Sequence, residues 1–547
     1  TINIKRASRL LTNIMKVKSI CIVGGGSSGW MTAALLATNL KGVEITVIEP
    51  RDVPTIGVGE STMGHINRFL NFIGLSGRDR DFMSSCSATY KVSVRFNNFK
   101  ELGHTFQYPF GKSLYQSSRP DDWFAIKQVH PDFDVTYSEF YNSITHLANT
   151  NKMCHQSMYL PNYAFDKDTA YHFDATAFGQ YLKEKICIPN GVKVIRDTIE
   201  EFFFDNEGNL DFMLPKSSKT WRIKADLYID CTGFKSMLLE QQMGSEFVSF
   251  KDVLLNDTAL AGRVPYEDKE NEILNTTDCT ALRNGWVWKT PTWDRIGTGY
   301  VYSSDFASDE DAEREFRAHL TEQYGKERAE AVDLRRIPIR HGKHKQAWVK
   351  NVVGIGLSYG FLEPLEATGL FTTHENAIRL MDALQRRDGY VNEMDRSAFN
   401  IAADYDIESM KDFIVMHYTM SKREDSPYWK YITNNLKPIS QEELTDRIVK
   451  SPRLYKEVCY NVGHSNNYPD LQGTLYIAGG MDFTPISRSQ ALYAYKEEFE
   501  RWEQETMPIA KKEKRKALKF LETQPTAYQF LKNNIYVEPI QEEREED

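Results

Sequence analysis

Ser19-Ile20-Cys21-Ile22-Val23-Gly24-Gly25-Gly26-Ser27-Ser28-Gly29-Trp30-Met31-Thr32-Ala33-Ala34-Leu35-Leu36-Ala37 opens with a short apolar run, passes through G-x-G-x-x-G and continues in helix formers. Val43-Glu44-Ile45-Thr46-Val47-Ile48-Glu49 follows as a β-branched run ending in an acid. Strand, glycine turn, helix, strand and acid, in that order, form the pattern of a dinucleotide site. Gly24 makes the tight turn. Gly26 lets backbone approach a pyrophosphate where Ser27 and Ser28 begin the helix, and Gly29 permits close helix–strand packing. Glu49 is placed to accept hydrogen bonds from the ribose hydroxyls of an adenosine half. The glycine pattern alone also describes a structural turn; the strand before it and the acid after it favour the dinucleotide.

The 547 residues suffice for one large two-lobed protein or for several domains. Hydrophobic residues at 41% and aromatics at 12% support extensive cores. A net charge of −9 and a pI near 5.8 argue against broad nucleic-acid affinity. No apolar run reaches the ~18 residues of a membrane helix. The seven cysteines are scattered and form no C-x-x-C pair, which fits a reduced, cytoplasmic compartment, and no metal site is expected. Residues 1–14 are basic but lack a secretory apolar core and a cleavage site, and are read as a leader or expression remnant.

Further along, Pro54-Thr55-Ile56-Gly57-Val58-Gly59-Glu60-Ser61 suits a loop close to a ligand, with Ser61 capping a following helix. Ala88 to Phe96 alternates as one strand carrying Lys91, a position where a lysine is ordinarily a solvated edge residue. Phe106, Tyr108 and Phe110 share one face of a strand, with core packing the default reading. A helix is expected from Tyr171-His172-Phe173-Asp174 to about Lys185. Phe202 to Phe212 reads as a hairpin about Asn206-Glu207-Gly208-Asn209. Ala225-Asp226-Leu227-Tyr228-Ile229-Asp230-Cys231-Thr232-Gly233 is similar to the strand that returns to the dinucleotide site in FAD domains of the glutathione-reductase type. Trp286 and Trp288, two apart, face one side of a strand, and Ser308 with Asp311 starts a helix to about Tyr324. Val352 to Gly369 runs from a buried strand through a loop with two acids into a helix near Leu370, and beyond Met381 the chain reads as mostly helical.

Four separated blocks together resemble the flavin-dependent halogenases typified by the tryptophan halogenases: the early glycine turn, G-W-x-W-x-x-P at 285–291, F-L-E-P-L-E-x-T-G at 361–369, and H-Y…R-E-D-x-P-[FY]-W at 417–429. The resemblance implies an α/β fold: a Rossmann-like FAD-binding module over 15–385, interrupted by substrate-lobe insertions at about 86–160 and 236–330, with a mostly helical C-terminal lobe over 386–547. It implies FADH2 from a separate flavin reductase, with O2 and halide (chloride, bromide or iodide) as co-substrates. A flavin hydroperoxide then yields hypohalous acid, which passes through a tunnel to a lysine beside a small electron-rich aromatic substrate. Position by position, Lys91 matches the family lysine and Glu366 the family glutamate. Thr368 and Gly369 match the halide side, and Trp286 and Trp288 match residues that keep substrate from the flavin. Gly59, Gly356 and Gly369 join the cofactor set, and Phe361 and Tyr428 join the substrate or tunnel set. A cationic amine would hold hypohalous acid by a hydrogen bond, a neutral one would form an N-halo intermediate, and burial favours the second. Glu366 would take the ring proton as a general base.

Ala367 stands where the family has serine, and Thr290 where it has isoleucine. The tyrosine pair and glutamate that hold the amino-acid end of tryptophan correspond here to His417, Tyr418 and Glu424, so free tryptophan is not the expected substrate. Tyr108 and Phe110 are the expected walls of the ring site. An FAD-dependent aromatic hydroxylase, reduced in place by NAD(P)H, shares the fold, and a non-enzymatic flavin-binding regulator would leave Lys91 and Glu366 unexplained. Monomer, homodimer and higher oligomers all stay open.

Overall fold

The computed structural model describes residues 14–51, 60–114, 122–436, 471–483 and 487–537. The strand Ser19–Val23 sits centrally in a six-stranded sheet whose order is Trp348–Val349, Val352–Gly354, Leu227–Asp230, Ser19–Val23, Glu44–Glu49, Lys193–Arg196. All neighbours are parallel except the Trp348–Val349 edge. Ile20 and Ile22 join one buried cluster while Cys21 and Val23 join another, which explains why the strand reads as continuously apolar. The helix Ser27–Asn39 buries every residue from Gly29 to Leu36. It packs against Glu44–Glu49, Ala175–Tyr181 and Thr368–Arg386, so its buried stretch is apolar apart from Thr32, whose hydroxyl donates back to the Ser28 carbonyl at 2.7 Å. The expected return strand lies beside Ser19–Val23 in parallel register, Leu227 opposite Ile20.

A seven-stranded sheet stands beside this module in the order Arg335–Pro338, Thr258–Val264, Ile296–Tyr302, Gly285–Pro291, Thr276–Ala281, Ser93–Asn97, Thr105–Pro109. A smaller sheet is ordered Glu60–Ser61, Ala170–Phe173, Thr89–Lys91. One buried cluster extends from Val17 to Ile535, so the late helices share their core with the sheets.

Several local expectations are corrected. The single strand over 88–96 is two, Thr89–Lys91 and Ser93–Asn97, in different sheets. The break is at Val92, whose N–H donates to Asn275 (2.8 Å) and whose carbonyl accepts from Phe110 (2.9 Å). Alternation continues through the break, which is why pattern alone missed it. Tyr171-His172-Phe173 belongs to a strand; the helix begins at Ala175, where the Asp174 carboxylate accepts the Ala177 N–H at 3.0 Å. Ser61 caps no helix: it lies in a two-residue strand, and the next helix starts at Ile66. The hairpin Ile199–Phe204/Leu210–Pro215 and the Ser308-capped helix Asp309–Tyr324 form as expected.

Candidate active site

The glycine turn is shaped by what its neighbours leave no room for. A Cβ on Gly24 (φ +118°) would sit 2.2 Å from the Cys231 carbonyl oxygen, and one on Gly29 would sit 1.9 Å from the Gly24 oxygen. Neither position admits a side chain. At Gly26, by contrast, a Cβ would meet nothing within 4 Å, so bare backbone faces open space beside a helix start that no side chain caps. That combination fits a dinucleotide pyrophosphate. Gly356 (φ +74°) lies so close to Ser28 that a Cβ would fall 2.3 Å from the serine Oγ. Glu49, expected at the ribose, holds the Lys183 ammonium at 2.5 Å with Arg196 at 3.5 Å.

A cavity of about 320 Å³ adjoins the turn, lined by Gly26, Ser27 and Ser28 and also by Ser61, Thr277 and Trp288. The start of the helix Thr368–Arg386 borders it through Ala367, Gly369 and Leu370. Ala367 holds a left-handed conformation (φ +56°) and the helix has no side-chain cap, so the partial positive charge of its first amides is unshielded by a capping oxygen. The Thr368 hydroxyl donates back to the Glu363 carbonyl at 3.4 Å. Phe361 borders the same cavity, edge-on to Phe234 at 5.3 Å.

Lys91 is 1% exposed, opposite to the ordinary expectation for a strand lysine. Its ammonium donates to Ser61 Oγ at 2.7 Å and lies 4.9 Å from the centre of the Phe110 ring. Burial pulls its pKa down to about 8, against the opposing attraction of Glu366 and Cys279. Glu366 is completely buried. Its Oε1 is 2.9 Å from His417 Nε2, and its Oε2 is buried without a hydrogen-bond partner. His417 Nδ1 faces only the Phe413 carbonyl, at 3.0 Å, so Nδ1 carries hydrogen. The Nε2–Oε1 contact therefore encloses one proton, on the ring or on the carboxyl.

Glu363, three residues earlier, has different company. Its Oε2 accepts from Trp286 Nε1 (2.9 Å), Tyr418 OH (2.8 Å) and Asn256 Nδ2 (2.9 Å), while Tyr428 OH donates to Asn256 Oδ1 at 2.9 Å. This network fixes the first tryptophan. The second, Trp288, is held where Gly299 on the adjacent strand leaves space, since a Cβ there would fall 2.1 Å from the indole.

The structure thus gathers Lys91, Glu366, Phe110 and His417 about one buried centre and places Gly26, Ser27, Ser28, Trp288, Phe361 and Gly369 around the adjoining cavity. Tyr108 packs with Phe413 and Tyr476 at ring distances of 5.9 and 6.0 Å. Tyr476 comes from the helix Leu471–Gly480, whose Gly473 and Gly480 permit close approach to Tyr108 and Phe106. Glu424 is exposed and apart from the cluster. Gly59 lies outside the described residues. Sequence reading missed Asn256, Thr277 and His172, isolated polar residues with no motif around them, and assigned no site role to Glu363.

The family model for tryptophan halogenases matches residues 19–468. The chain is 35% identical to the 7-chloro-L-tryptophan 6-halogenase KtzR of Kutzneria sp. (strain 744), covering 75% of this chain and 80% of that one. It is 33% identical to the tryptophan 7-halogenase RebH of Lentzea aerocolonigenes, over 76% and 78%. Among solved structures, VirX1 superposes with a TM-score of 0.85 at 42% identity, covering 95% of this chain and all of that one. The halogenase motifs and these similarities agree: the chain belongs to the tryptophan halogenase family and is a flavin-dependent halogenase.

Proposed function

We propose that the chain halogenates an electron-rich, indole-like aromatic ring with hypohalous acid received by Lys91, supplied with reduced FAD by a separate reductase. The observation that carries this reading is that the cavity bordered by Gly26 and Ser28 is also bordered by Ser61, the residue bonded to the Lys91 ammonium. Reduced FAD, with oxygen and halide, supplies the oxidant. The bare Gly26 backbone and the uncapped amides at Thr368 and Gly369 suit anions, pyrophosphate at the first and halide at the second. Trp288 walls the cavity against substrate, and Trp286, two residues earlier on the same strand, is pinned by Glu363.

At pH 7 a pKa of about 8 leaves the ammonium form of Lys91 in roughly tenfold excess, which favours holding the oxidant by a hydrogen bond. The ring carbon then takes the halogen as the oxygen–halogen bond breaks. Lys91 gives a proton to the departing hydroxide to make water, and Glu366, an ionised carboxylate when the proton of its His417 contact rests on the ring, takes the proton of the ring carbon on its unpartnered Oε2. Return of that proton to Lys91 restores the site. His417 and Tyr418 are bonded to Glu366 and Glu363, and Glu424 is exposed, so none of the three is placed to grip a free amino acid. The test is mass spectrometry of an indole and phenol panel with reductase, FAD, oxygen and each halide. Halogenated product is expected, with negligible NADPH oxidation when the reductase is omitted. Oxygenated products formed without reductase would establish the hydroxylase instead.

A further inference from the structure

A chain of hydrogen-bonded polar groups leads away from the Lys91 ammonium. Lys91 Nζ is 2.7 Å from Ser61 Oγ, which is 2.8 Å from Thr277 Oγ1, which is 2.9 Å from His172 Nε2. On the far side of the ring, His172 Nδ1 is 3.1 Å from Thr89 Oγ1, whose hydroxyl donates to the Pro291 carbonyl at 2.5 Å. Thr89, Lys91 and His172 are each at most 1% exposed, while Ser61 and Thr277, between them, border the cavity. The chain joins the small sheet, through Ser61, Thr89, Lys91 and His172, to the large one, through Thr277 and Pro291.

Its direction follows from counting hydrogens. A carbonyl only accepts, so the single Thr89 hydroxyl hydrogen goes to Pro291, and Thr89 Oγ1 must accept from His172 Nδ1–H. A neutral ring is then bare at Nε2 and accepts from Thr277. Thr277, its hydrogen spent, accepts from Ser61, and Ser61, likewise spent, offers Lys91 only a lone pair. An imidazolium at His172 would reverse the Thr277 contact and leave the Ser61 hydrogen without an acceptor. It would also bury a second cation near Lys91; burial and the Lys91 charge both hold the ring well below its ordinary pKa.

We propose that His172 is a positioning residue for Lys91: acting through Thr277 and Ser61, its bare Nε2 sets the polarity of the chain, so that one Lys91 N–H is always tied to Ser61. The remaining positions on Nζ, whether N–H or lone pair, are thereby turned from Ser61 toward the oxidant. This rests on the reading of Lys91 as the receiver of hypohalous acid. An amine rotating freely, or facing a Ser61 hydrogen, would hold the oxidant in several orientations and lose it to solvent.

The test measures halogenated product per FADH2 consumed in the full chain, together with ¹⁵N spectra of histidine-labelled protein. Thr277→Val, close in shape, and His172→Phe should consume reduced flavin and oxygen but give at least tenfold less product. His172→Gln, whose amide can accept from Thr277 and donate to Thr89, should restore most of it. The spectra should contain a neutral Nδ1–H histidine that is missing from His172→Gln. Wild-type coupling in folded Thr277→Val, or equal loss in the glutamine and phenylalanine variants, would overturn the proposal, as would an Nε2–H tautomer at His172. The tautomer is read without turnover, so a wild-type protein that halogenates nothing would refute the Lys91 reading while the spectra still decide the chain's direction.

Discussion

Replacing Lys91 with methionine should destroy halogenation and stabilise the protein. The unbranched methionine side chain fills much of the same buried path but carries no charge. A lysine pKa drop from 10.5 to about 8 corresponds to about 3.4 kcal/mol at 1.36 kcal/mol for each tenfold change. Between those two values the unfolded chain keeps a proton on Lys91 that the folded chain has released. Stability therefore rises with pH through that window, and the full cost of the buried charge is present below pH 8. Lys91→Met removes this cost and loses the hydrogen bond to Ser61, worth about 1 kcal/mol net. At pH 7 the variant should be about 2 kcal/mol more stable than the parent, an advantage that shrinks to near zero by about pH 10. Urea titrations of both proteins at the two pH values measure it, with product per FADH2 as the companion assay. A variant less stable than the parent at pH 7, or a difference independent of pH, would refute the claim that Lys91 is held charged at a cost to folding.

Gly26→Val should fold normally yet lose FAD affinity by at least a hundredfold, because its side chain would enter open space beside the glycine turn without displacing protein atoms; flavin titration of the folded variant checks this. Glu366→Gln should retain flavin oxidation but lose at least a hundredfold in product, since an amide cannot accept the ring proton as a base. Glu363→Gln should instead lower stability by about 2 kcal/mol, because an amide oxygen facing the three donors is a weaker acceptor than the carboxylate and its NH2 is buried where Glu363 Oε1 has no partner. Melting curves beside product yields separate these outcomes, and the reverse ranking would show that the two acids have been assigned the wrong way round.

The flavin module was legible because its signals are local. A strand buried on both faces reads as a continuous apolar run, and the turn at Gly24 and Gly29 admits glycine alone, so composition and spacing carry the geometry. Lys91 was legible only through its family motif. Its surroundings come from Ser61, Phe110, Glu366 and Cys279, far apart in the chain, and local alternation cannot report a strand that changes sheets at Val92. His172 and Thr277 gave no local signal because each is one polar residue within a strand, and their meaning arises only where two sheets meet.

The H-Y pair at 417–418 shows how a motif's contacts within the protein lie beyond what its sequence displays. The two align with family positions that hold the amino-acid end of tryptophan, where His417 replaces a tyrosine. Both lie on the helix Glu393–Thr419, where adjacent residues point about 100° apart and so reach different targets. His417 reaches Glu366 and Tyr418 reaches Glu363, so two neighbours on a helix engage the two acids of one loop. The helix thereby braces F-L-E-P-L-E through both acids, with Pro364–Glu366 closing a tight turn between the two contacts. Both acids are fully buried, and each has one oxygen committed to this bracket and one without a partner. What separates them chemically is their company: Glu363 Oε2 is surrounded by three neutral donors and anchors Trp286, whereas Glu366 is attracted to Lys91 and shares a proton with His417. Only the second arrangement can pass a proton.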